Sequence, residues 1–319
     1  MIGFVVRVAP FALMALPCAA QNADIRVQVP LIVAPTTVLD GQSHFVDGLE
    51  TQDFTLFDNG RPQWIQNDIA FQPMSLAVAV QCGGNVRWAL PKIQRIASVI
   101  DALMVGDGGE AAVIAFDDRV RTLQPFTKDS RRIADALETL QVNDAQYRLF
   151  DGVERAVDLL KSRKAGRRRI LLLLSESRDN GSGTKLVQAL TNLQEANVSV
   201  YAVVMNHFGS VLSQNPSARV PPPHAILLDQ PLIELLRALR DDPVAAFTHF
   251  TGGRQYSFLR QRALEDAITA VGDEVHGQYL LSYVPDNPGE DGYHEIHVTV
   301  DRPGLAVRSR PCYWIAQAK

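Results

Sequence analysis

The fold is decided by the stretch Met74-Ser75-Leu76-Ala77-Val78-Ala79-Val80-Gln81-Cys82-Gly83-Gly84-Asn85-Val86. Its apolar residues run almost unbroken between Pro73 and the Gly-Gly pair. This apolar run is too short for an independent helix, and it is typical of a strand buried on both faces. Ligands of a parallel sheet bind at the carboxyl ends of its strands, so the polar residues that end this stretch are the first candidates for a site.

Further apolar runs of the same kind follow, and they alternate with segments of helical periodicity. The strand candidates are Ala111–Phe116, Ile170–Leu174 and Val198–Val204. The helical patterns include one that Pro91 opens and that continues to Met104. Strands that are apolar throughout need helices on both faces of the sheet. The alternation therefore predicts an α/β domain with a doubly wound, mostly parallel sheet over residues 74–277.

Size and composition limit the classes of function. The chain has 319 residues, of which 46% are hydrophobic and 21% charged, with a net charge of -4. Such a chain can bury one large core and a smaller accessory core. Its mild acidity gives no electrostatic reason to expect nucleic acid or an anionic membrane as a partner.

The first twenty residues have the composition of a secretory signal. Arg7 is their only charge, an apolar segment follows it, and Cys18-Ala19-Ala20 supplies small residues before Gln21. We expect residues 1–20 to be removed and the mature chain to be periplasmic or extracellular. Lipid attachment at Cys18 is the alternative, although Leu16-Pro17 matches that signal poorly. The rest of the sequence offers no stretch that could span a membrane.

Two β segments flank the α/β domain. Residues 21–73 have strand character, with Asp58-Asn59-Gly60 as a hairpin turn. The period changes to two in residues 278–319, where Asp301–Gly304 forms the last turn. Neither segment is large enough to fold alone, so we expect them to pair as one accessory module. Residues 206–230 are rich in proline and are expected to form an exposed insertion.

The order of several short motifs resembles a von Willebrand factor A domain, and more narrowly the secreted A-domain-related proteins common in Acidobacteria. These motifs are Gly48-Leu49, Asp53-Phe54, Asp58-Asn59-Gly60, the first core strand with its loop, Phe150-Asp151-Gly152, Leu173-Leu174-Ser175-Glu176, Thr251-Gly252-Gly253, Gln278–Leu281 and Pro303-Gly304-Leu305. The resemblance covers nearly all of the mature chain. It implies a doubly wound fold that binds partners at the carboxyl ends of the strands.

Domains of this family typically hold a metal ion with Asp-x-Ser-x-Ser after the first strand, a Thr from a second loop and an Asp after a later strand. Here the first loop reads Gln81 to Asn85, Tyr147 stands at the Thr position, and Glu176 stands at the later Asp position. Mg²⁺ requires compact oxygen ligands, mainly carboxylates. The resemblance therefore implies a degenerate site, and we expect no metal cofactor. A weak divalent-metal-dependent adhesin, in which Glu176, Asn85 and Gln81 hold Mg²⁺ with Asp179 nearby, is the alternative.

Cys82 allows a second alternative, a thiol-dependent enzyme. It follows a core strand, but the pattern is not Gly-x-Cys-x-Gly and no histidine is identifiable as its base. We expect Cys82 and Cys312 to be separate, unreactive thiols and the protein not to be an enzyme. The basic run Lys161–Arg169 is interpreted as a solvated loop, with a docking patch for an acidic partner as the alternative.

The sequence therefore predicts an exported, non-enzymatic protein-binding module of the adhesion or scaffold type. Recognition is placed at the carboxyl-end loops, and the partner protein cannot be identified from the sequence. A purely structural role in the cell envelope is compatible with the same features. The candidate binding residues are Gln81, Cys82, Gly83, Gly84, Asn85, Tyr147, Glu176 and Asp179.

Overall fold

The computed structural model describes residues 31–68, 72–84, 86–103, 108–143, 146–164, 166–205, 242–258, 261–286 and 292–315. The expected signal at residues 1–20 and the expected insertion at 206–230 lie outside these ranges, as does the candidate site residue Asn85. Within the described ranges, no helix has the length and apolar character needed to cross a membrane.

The strands and helices fall into a central α/β domain and two flanking antiparallel sheets. The strands are β1 (Ile32–Leu39), β2 (Phe54–Asp58), β3 (Arg61–Gln63), β4 (Asn67–Asp68), β5 (Met74–Gln81), β6 (Glu110–Phe116), β7 (Val120–Thr127), β8 (Arg168–Ser175), β9 (Val198–Met205), β10 (Gln255–Phe258), β11 (Tyr279–Tyr283), β12 (Gly292–Val300), β13 (Ala306–Ser309) and β14 (Cys312–Ile315). The described helices are α1 (Leu90–Ile93), α2 (Ala97–Leu103), α3 (Ser130–Glu138), α4 (Leu149–Lys161), α5 (Leu186–Glu195), α6 (Pro243–Thr251) and α7 (Gln261–His276).

The central sheet has the strand order β10-β9-β8-β5-β6-β7. All neighbouring pairs are parallel except β6 and β7, which are antiparallel. Every residue of β5, β6 and β9 is buried. The predicted α/β fold with a mostly parallel sheet is confirmed, because only a sheet covered on both faces buries both sides of its strands.

Helices cover both faces of this sheet. Apolar residues of α1, α2, α3 and α7 form one core with one face of the sheet. Those of α4, α5 and α6 form a second core with the other face. The strand side chains alternate between these two cores, as in β5, where Val78 enters the first core and Ala79 the second.

The flanking strands form two four-stranded antiparallel sheets, in the orders β13-β1-β11-β4 and β14-β12-β2-β3. Strands from before the central domain pair with strands from after it: Ala34 is opposite Leu281, and Leu56 is opposite Val298. The apolar faces of both sheets share a third core. The expected accessory β structure is therefore present, and it needs both ends of the chain because each end supplies strands to each sheet.

Two local signals in the sequence correspond to turns in the structure. Asn59 and Gly60 both have positive φ (48° and 75°), which is the conformation of a tight hairpin turn, and they join β2 to β3. Gly252 follows the last residue of helix α6 and caps it with a left-handed φ of 77°. The next residue, Gly253, lies so close to β9 that a Cβ there would be 1.9 Å from the carbonyl oxygen of Val200.

Two predictions about elements were incomplete. The helix expected from Pro91 to Met104 is two helices, because Arg95 and Ile96 donate hydrogen bonds to residues three positions back and tighten the chain between α1 and α2. Strand β7 was not predicted. Strand β7 lies at the edge of the sheet, and most of its side chains are only partly buried. It therefore lacks the continuous apolar run from which the other strands of this sheet were predicted.

The interpretation of the basic run Lys161–Arg169 as a solvated loop holds only in part: Lys161 and Lys164 are exposed, whereas several of its arginines are bound within the fold. Arg163 forms a two-point ion pair with Glu110, with both N–O distances 2.7 Å. Arg167 is 3.1 Å from the same carboxylate, and Arg168 is almost fully buried. Arg167 also donates to the carbonyl oxygens of Met74 and Gly108, so it links the chain near the starts of β5 and β6 to the start of β8.

Candidate functional site

The candidate site lies at the carboxyl edge of the central sheet, where β5, β6 and β8 end side by side. Gln81 is the last residue of β5, and Asp117 and Glu176 immediately follow β6 and β8. Helix α4 also begins at this edge, since Arg148 donates its backbone N–H to the carbonyl oxygen of Asp117. The fold thus brings polar residues that are distant in sequence to one edge.

Gln81 and Glu176 join the ends of β5 and β8. The amide nitrogen of fully buried Gln81 donates to Glu176 Oε2 over 3.1 Å, and also to the carbonyl oxygen of Gly83 over 2.9 Å. Its amide oxygen accepts the backbone N–H of Glu176 over 2.8 Å. Both ends of the amide are therefore used within the protein, and the carboxylate is held by a neutral donor.

Tyr147 covers the loop after β5. Its backbone pairs with Asn180, and its ring lies against Gly84, where a Cβ would be 2.9 Å from Tyr147 Cε1. Gly84 has a φ of 75°, so both its backbone and its surroundings require glycine. Burial and the nearby charge of Glu176 raise the pKa of Tyr147, which keeps the phenol neutral.

Asp179 closes the loop after β8. Its Oδ1 accepts the hydroxyl of Ser182 over 2.5 Å and the backbone N–H of Phe150 over 3.3 Å, and its Oδ2 accepts the backbone N–H of Ser182 over 3.2 Å. Phe150 lies in the first turn of α4, whose free N–H groups favour a carboxylate. The structure therefore uses Asp179 to fix this loop on α4.

Asp151 fixes the following part of the same loop. It accepts the backbone N–H of Gly183 over 3.1 Å and that of Thr184 over 2.9 Å. Although burial opposes it, these donors and Arg148 hold the pKa of Asp151 below its usual value. The loop between β8 and α5 is thus attached to α4 through two carboxylates.

Cys82 belongs to the core rather than to the surface of this edge. Its side chain is fully buried and its Sγ lies 3.8 Å from the carbonyl oxygen of Val80. Burial, with a contribution from Asp117, raises the pKa of its thiol to about 12. Cys312 is also buried and free, and burial raises its pKa to about 11. Neither thiol has the thiolate character that a nucleophile needs.

Sequence analysis missed several polar residues of this edge. Asp117 is buried and pairs with Arg121, and it also accepts the backbone N–H of Arg119 over 2.9 Å. Its position directly after the apolar strand β6 was the signal that could have identified it. Ser177 hydrogen-bonds Asp242, which caps α6 by accepting the backbone N–H of Ala245 over 2.9 Å. An Asp before a Pro at a helix start is a recognisable cap.

The side chains at this edge differ from the set of oxygen ligands that Mg²⁺ prefers. Glu176 is held by the Gln81 amide, whose N–H groups donate hydrogen bonds and cannot ligate a cation. Asp179 is held by Ser182 and α4. Among the residues that the structure describes, no three His, Cys, Asp or Glu side chains form a group that could hold a metal ion. Mg²⁺ is bound mainly through carboxylate oxygens, and the side chain that faces Glu176 from the end of β5 is a neutral amide.

One family model matches part of the chain. The model described as von Willebrand factor type A domain matches residues 89–178, a range that begins just before α1 and ends in the loop after β8. Residues 89–178 are thus similar to the family that the motifs of the sequence resemble. No curated protein matches the chain.

Solved structures with a similar arrangement are distant in sequence. A von Willebrand factor type A protein from Catenulispora acidiphila is 8% identical, with a TM-score of 0.49 over 91% of this chain and 64% of that one. An aerotolerance-related membrane protein from Bacteroides fragilis is 12% identical, with a TM-score of 0.43 over 63% and 99%. Proximal thread matrix protein 1 from the mussel byssus is 13% identical, with a TM-score of 0.47 over 64% and 48%.

Proposed function

We propose that the von Willebrand factor type A domain of this chain is a non-enzymatic module that binds a partner protein at the carboxyl edge of its sheet, without a metal ion. Domains of this type often mediate protein–protein interactions. The proposal rests mainly on the hydrogen bonds between Gln81 and Glu176, which use a neutral amide at the place where the family typically holds an ion.

The surface around this pair suits recognition by contact. Gln146, Arg148, Arg178 and Asn180 are exposed around Tyr147. Below them, Asp179 and Asp151 hold the loop after β8 on α4. A surface whose loops are already fixed loses less conformational entropy when it binds. The exposed arginine and amide side chains favour a partner surface with hydrogen-bond acceptors and acidic groups.

We also propose that the chain is exported and acts in the periplasm or outside the cell. The composition of residues 1–20 supports this part of the proposal. The intact mass of the protein purified from its natural host tests it. A mature chain that begins at Gln21 would support export by cleavage, and a lipid-modified chain that begins at Cys18 would support the anchored alternative. A chain that retains residues 1–20 would contradict both.

The binding site can be tested by site-specific crosslinking in the natural host. A photoreactive amino acid is placed at Arg178 or Asn180 in the loop after β8, and in a matched control at Arg131. The side chain of Arg131 is 92% exposed, and it lies near the opposite edge of the sheet, because antiparallel β7 ends beside Ala111. We expect a specific crosslinked protein from the first two positions and not from the control.

The partner so identified is then purified and its affinity measured by calorimetry. We expect Arg178→Ala and Asn180→Ala to weaken binding by about 1–3 kcal/mol each if these residues lie at the centre of the interface, with Arg131→Ala unchanged. Affinity should be equal in chelator and in millimolar Mg²⁺. Loss of binding in chelator would favour the metal-dependent adhesin, and equal affinity of all variants would contradict the proposed surface.

A further inference from the structure

A second edge of the molecule contains a strongly basic cavity. It has a volume of about 200 Å³ and lies between the first residues of β8 and β9 and the accessory strand β1. Arg167, Arg168, Arg169 and Arg310 are among the residues that line it. Because β8 and β9 are parallel, their first residues lie at the edge opposite to the proposed docking surface, so the two regions can be tested separately.

Two of these arginines project from the start of β8 and bind only neutral groups. Arg168 is almost fully buried and donates to the carbonyl oxygen of Val275 and to the side-chain oxygen of Gln278. Arg169 donates to the carbonyl oxygen of Ala196 over 2.9 Å. Arg167, by contrast, is paired with Glu110.

Arg310, from the turn between β13 and β14, reaches the cavity from the accessory module. It is 3% exposed and donates to the carbonyl oxygens of Cys312 and Val33, each over 3.1 Å, and to Asn197 Oδ1 over 3.3 Å. All of these acceptors are uncharged. Arg310 therefore adds a third buried charge to the same cavity.

Within the described part of the chain, none of Arg168, Arg169 and Arg310 has a carboxylate at ion-pair distance. The charge of Glu274 acts on Arg168 from a distance, but Glu274 forms its ion pair with Arg308. Each of the three arginines also keeps one buried N–H group without an acceptor among the described residues: Nε of Arg168, Nε of Arg169 and Nη2 of Arg310. Burial removes water from these guanidinium groups and so lowers the pKa of all three.

Buried charges are normally paired, and buried donors normally have acceptors. We propose that this cavity binds a small oxyanion, such as phosphate or a carboxylate, between Arg168, Arg169 and Arg310. The fork of N–H groups on each guanidinium matches the oxygens of such anions. Since one water molecule occupies about 30 Å³ in the liquid, the cavity has room for an oxyanion with a few waters, and not for a large ligand. The unpartnered N–H groups are themselves buried, so binding includes a turn of the guanidinium planes toward the anion.

The site can be tested by calorimetric titration of the full chain with inorganic phosphate, sulfate and acetate at constant ionic strength, with chloride as the control anion. Phosphate and sulfate test tetrahedral oxyanions, and acetate tests the carboxylate. Arg169→Gln and Arg310→Gln remove one charge each from the cavity. Arg131→Gln removes an equally basic but exposed residue that does not line the cavity. Circular dichroism checks that each variant is folded.

We expect one oxyanion per chain to bind with saturation below about 10 mM and chloride not to bind. Arg169 is less buried than Arg310, so Arg169→Gln is the safer variant, and it should weaken binding at least tenfold. Arg310→Gln should do the same if the variant folds. Arg131→Gln should change affinity less than twofold. Absence of saturable binding by any of the three oxyanions would overturn the proposal. So would binding that Arg169→Gln leaves unchanged, because the anion would then bind elsewhere.

Discussion

Gln81 and Glu176 exchange two hydrogen bonds across the ends of β5 and β8: the Gln81 amide nitrogen donates to Glu176 Oε2, and the Gln81 amide oxygen accepts the Glu176 backbone N–H. A neutral amide thus connects the ends of two strands that also pair through their backbones. Because the amide is fully buried, its loss would leave polar groups without partners.

Gln81→Glu tests this relationship with almost no change in shape. The new carboxylate faces Glu176 and the carbonyl oxygen of Gly83, so a donor is replaced by a like charge. We expect a loss of about 2–4 kcal/mol in the free energy of unfolding at pH 7. The loss should be smaller near pH 4.5, where a carboxyl can be protonated and donate. Urea denaturation at both pH values measures it.

Glu176→Gln is the matched control for that variant. The amide introduced there would keep an oxygen that accepts from Gln81, so we expect a loss below about 1 kcal/mol. Equal effects of Gln81→Glu and Glu176→Gln, or a pH-independent loss in the first, would contradict this pairing.

Gly84 and Tyr147 are expected to be coupled in stability. Gly84→Ala introduces a Cβ about where the ring of Tyr147 lies, and it also places a side chain at positive φ. We expect it to cost about 2–4 kcal/mol, of which about 1–2 kcal/mol is backbone strain. In the Tyr147→Ala background only the strain remains, so a double-mutant cycle should give a coupling energy of at least about 1 kcal/mol. Additive effects would show that the ring does not cover Gly84 in solution.

Cys82 is expected to be unreactive in the folded protein. A pKa of about 12 leaves roughly a thousandfold less thiolate at neutral pH than the ordinary value of 9.0. Alkylation of Cys82 by iodoacetamide, followed by peptide mass spectrometry, should therefore be slower than that of a free cysteine peptide, on the order of a thousandfold. In guanidinium chloride the rates should become equal. Rapid alkylation of the folded chain would revive the enzyme alternative.

The accessory module should lose stability at alkaline pH. Tyr283 and Tyr313 both donate to buried Asp58, over 2.9 and 2.5 Å, and burial together with this carboxylate raises the pKa of each phenol above its ordinary 10.0. The unfolded chain releases these protons near pH 10, while the folded chain retains them. The stability that these two phenols contribute is therefore fully present below about pH 10 and is lost as the pH rises further.

Tyr283→Phe checks the origin of this slope. It should lower the free energy of unfolding by about 1–2 kcal/mol at pH 7, because Asp58 loses a donor. It should also make the decline above pH 10 shallower without abolishing it, since the pKa values of Tyr201 and Tyr256 are raised as well. Guanidinium denaturation between pH 7 and 11 measures both effects. An unchanged slope would contradict the assignment.

The candidate site could be predicted only in part. Gln81 was identified because it stands where an apolar strand ends, and Glu176 was identified from the position that the family resemblance implied. Their mutual hydrogen bonds were not predictable, since periodicity carries no information about side-chain contacts between residues far apart in the chain. The same holds for the hydrogen bonds of Asp179 with Ser182 and α4.

The sequence by itself determined the α/β class, because strands that are apolar throughout and alternate with helical segments are buried between helices. It also determined local features such as the turn at Asn59-Gly60 and the helix cap at Gly252. Only the tertiary structure decided the positions of the charged groups. Arginine is a residue type that is normally exposed, yet Arg168 and Arg310 are both buried where β8 meets the accessory module. Burial of a charge depends on which distant segments pack around it, and that is a property of the assembled fold.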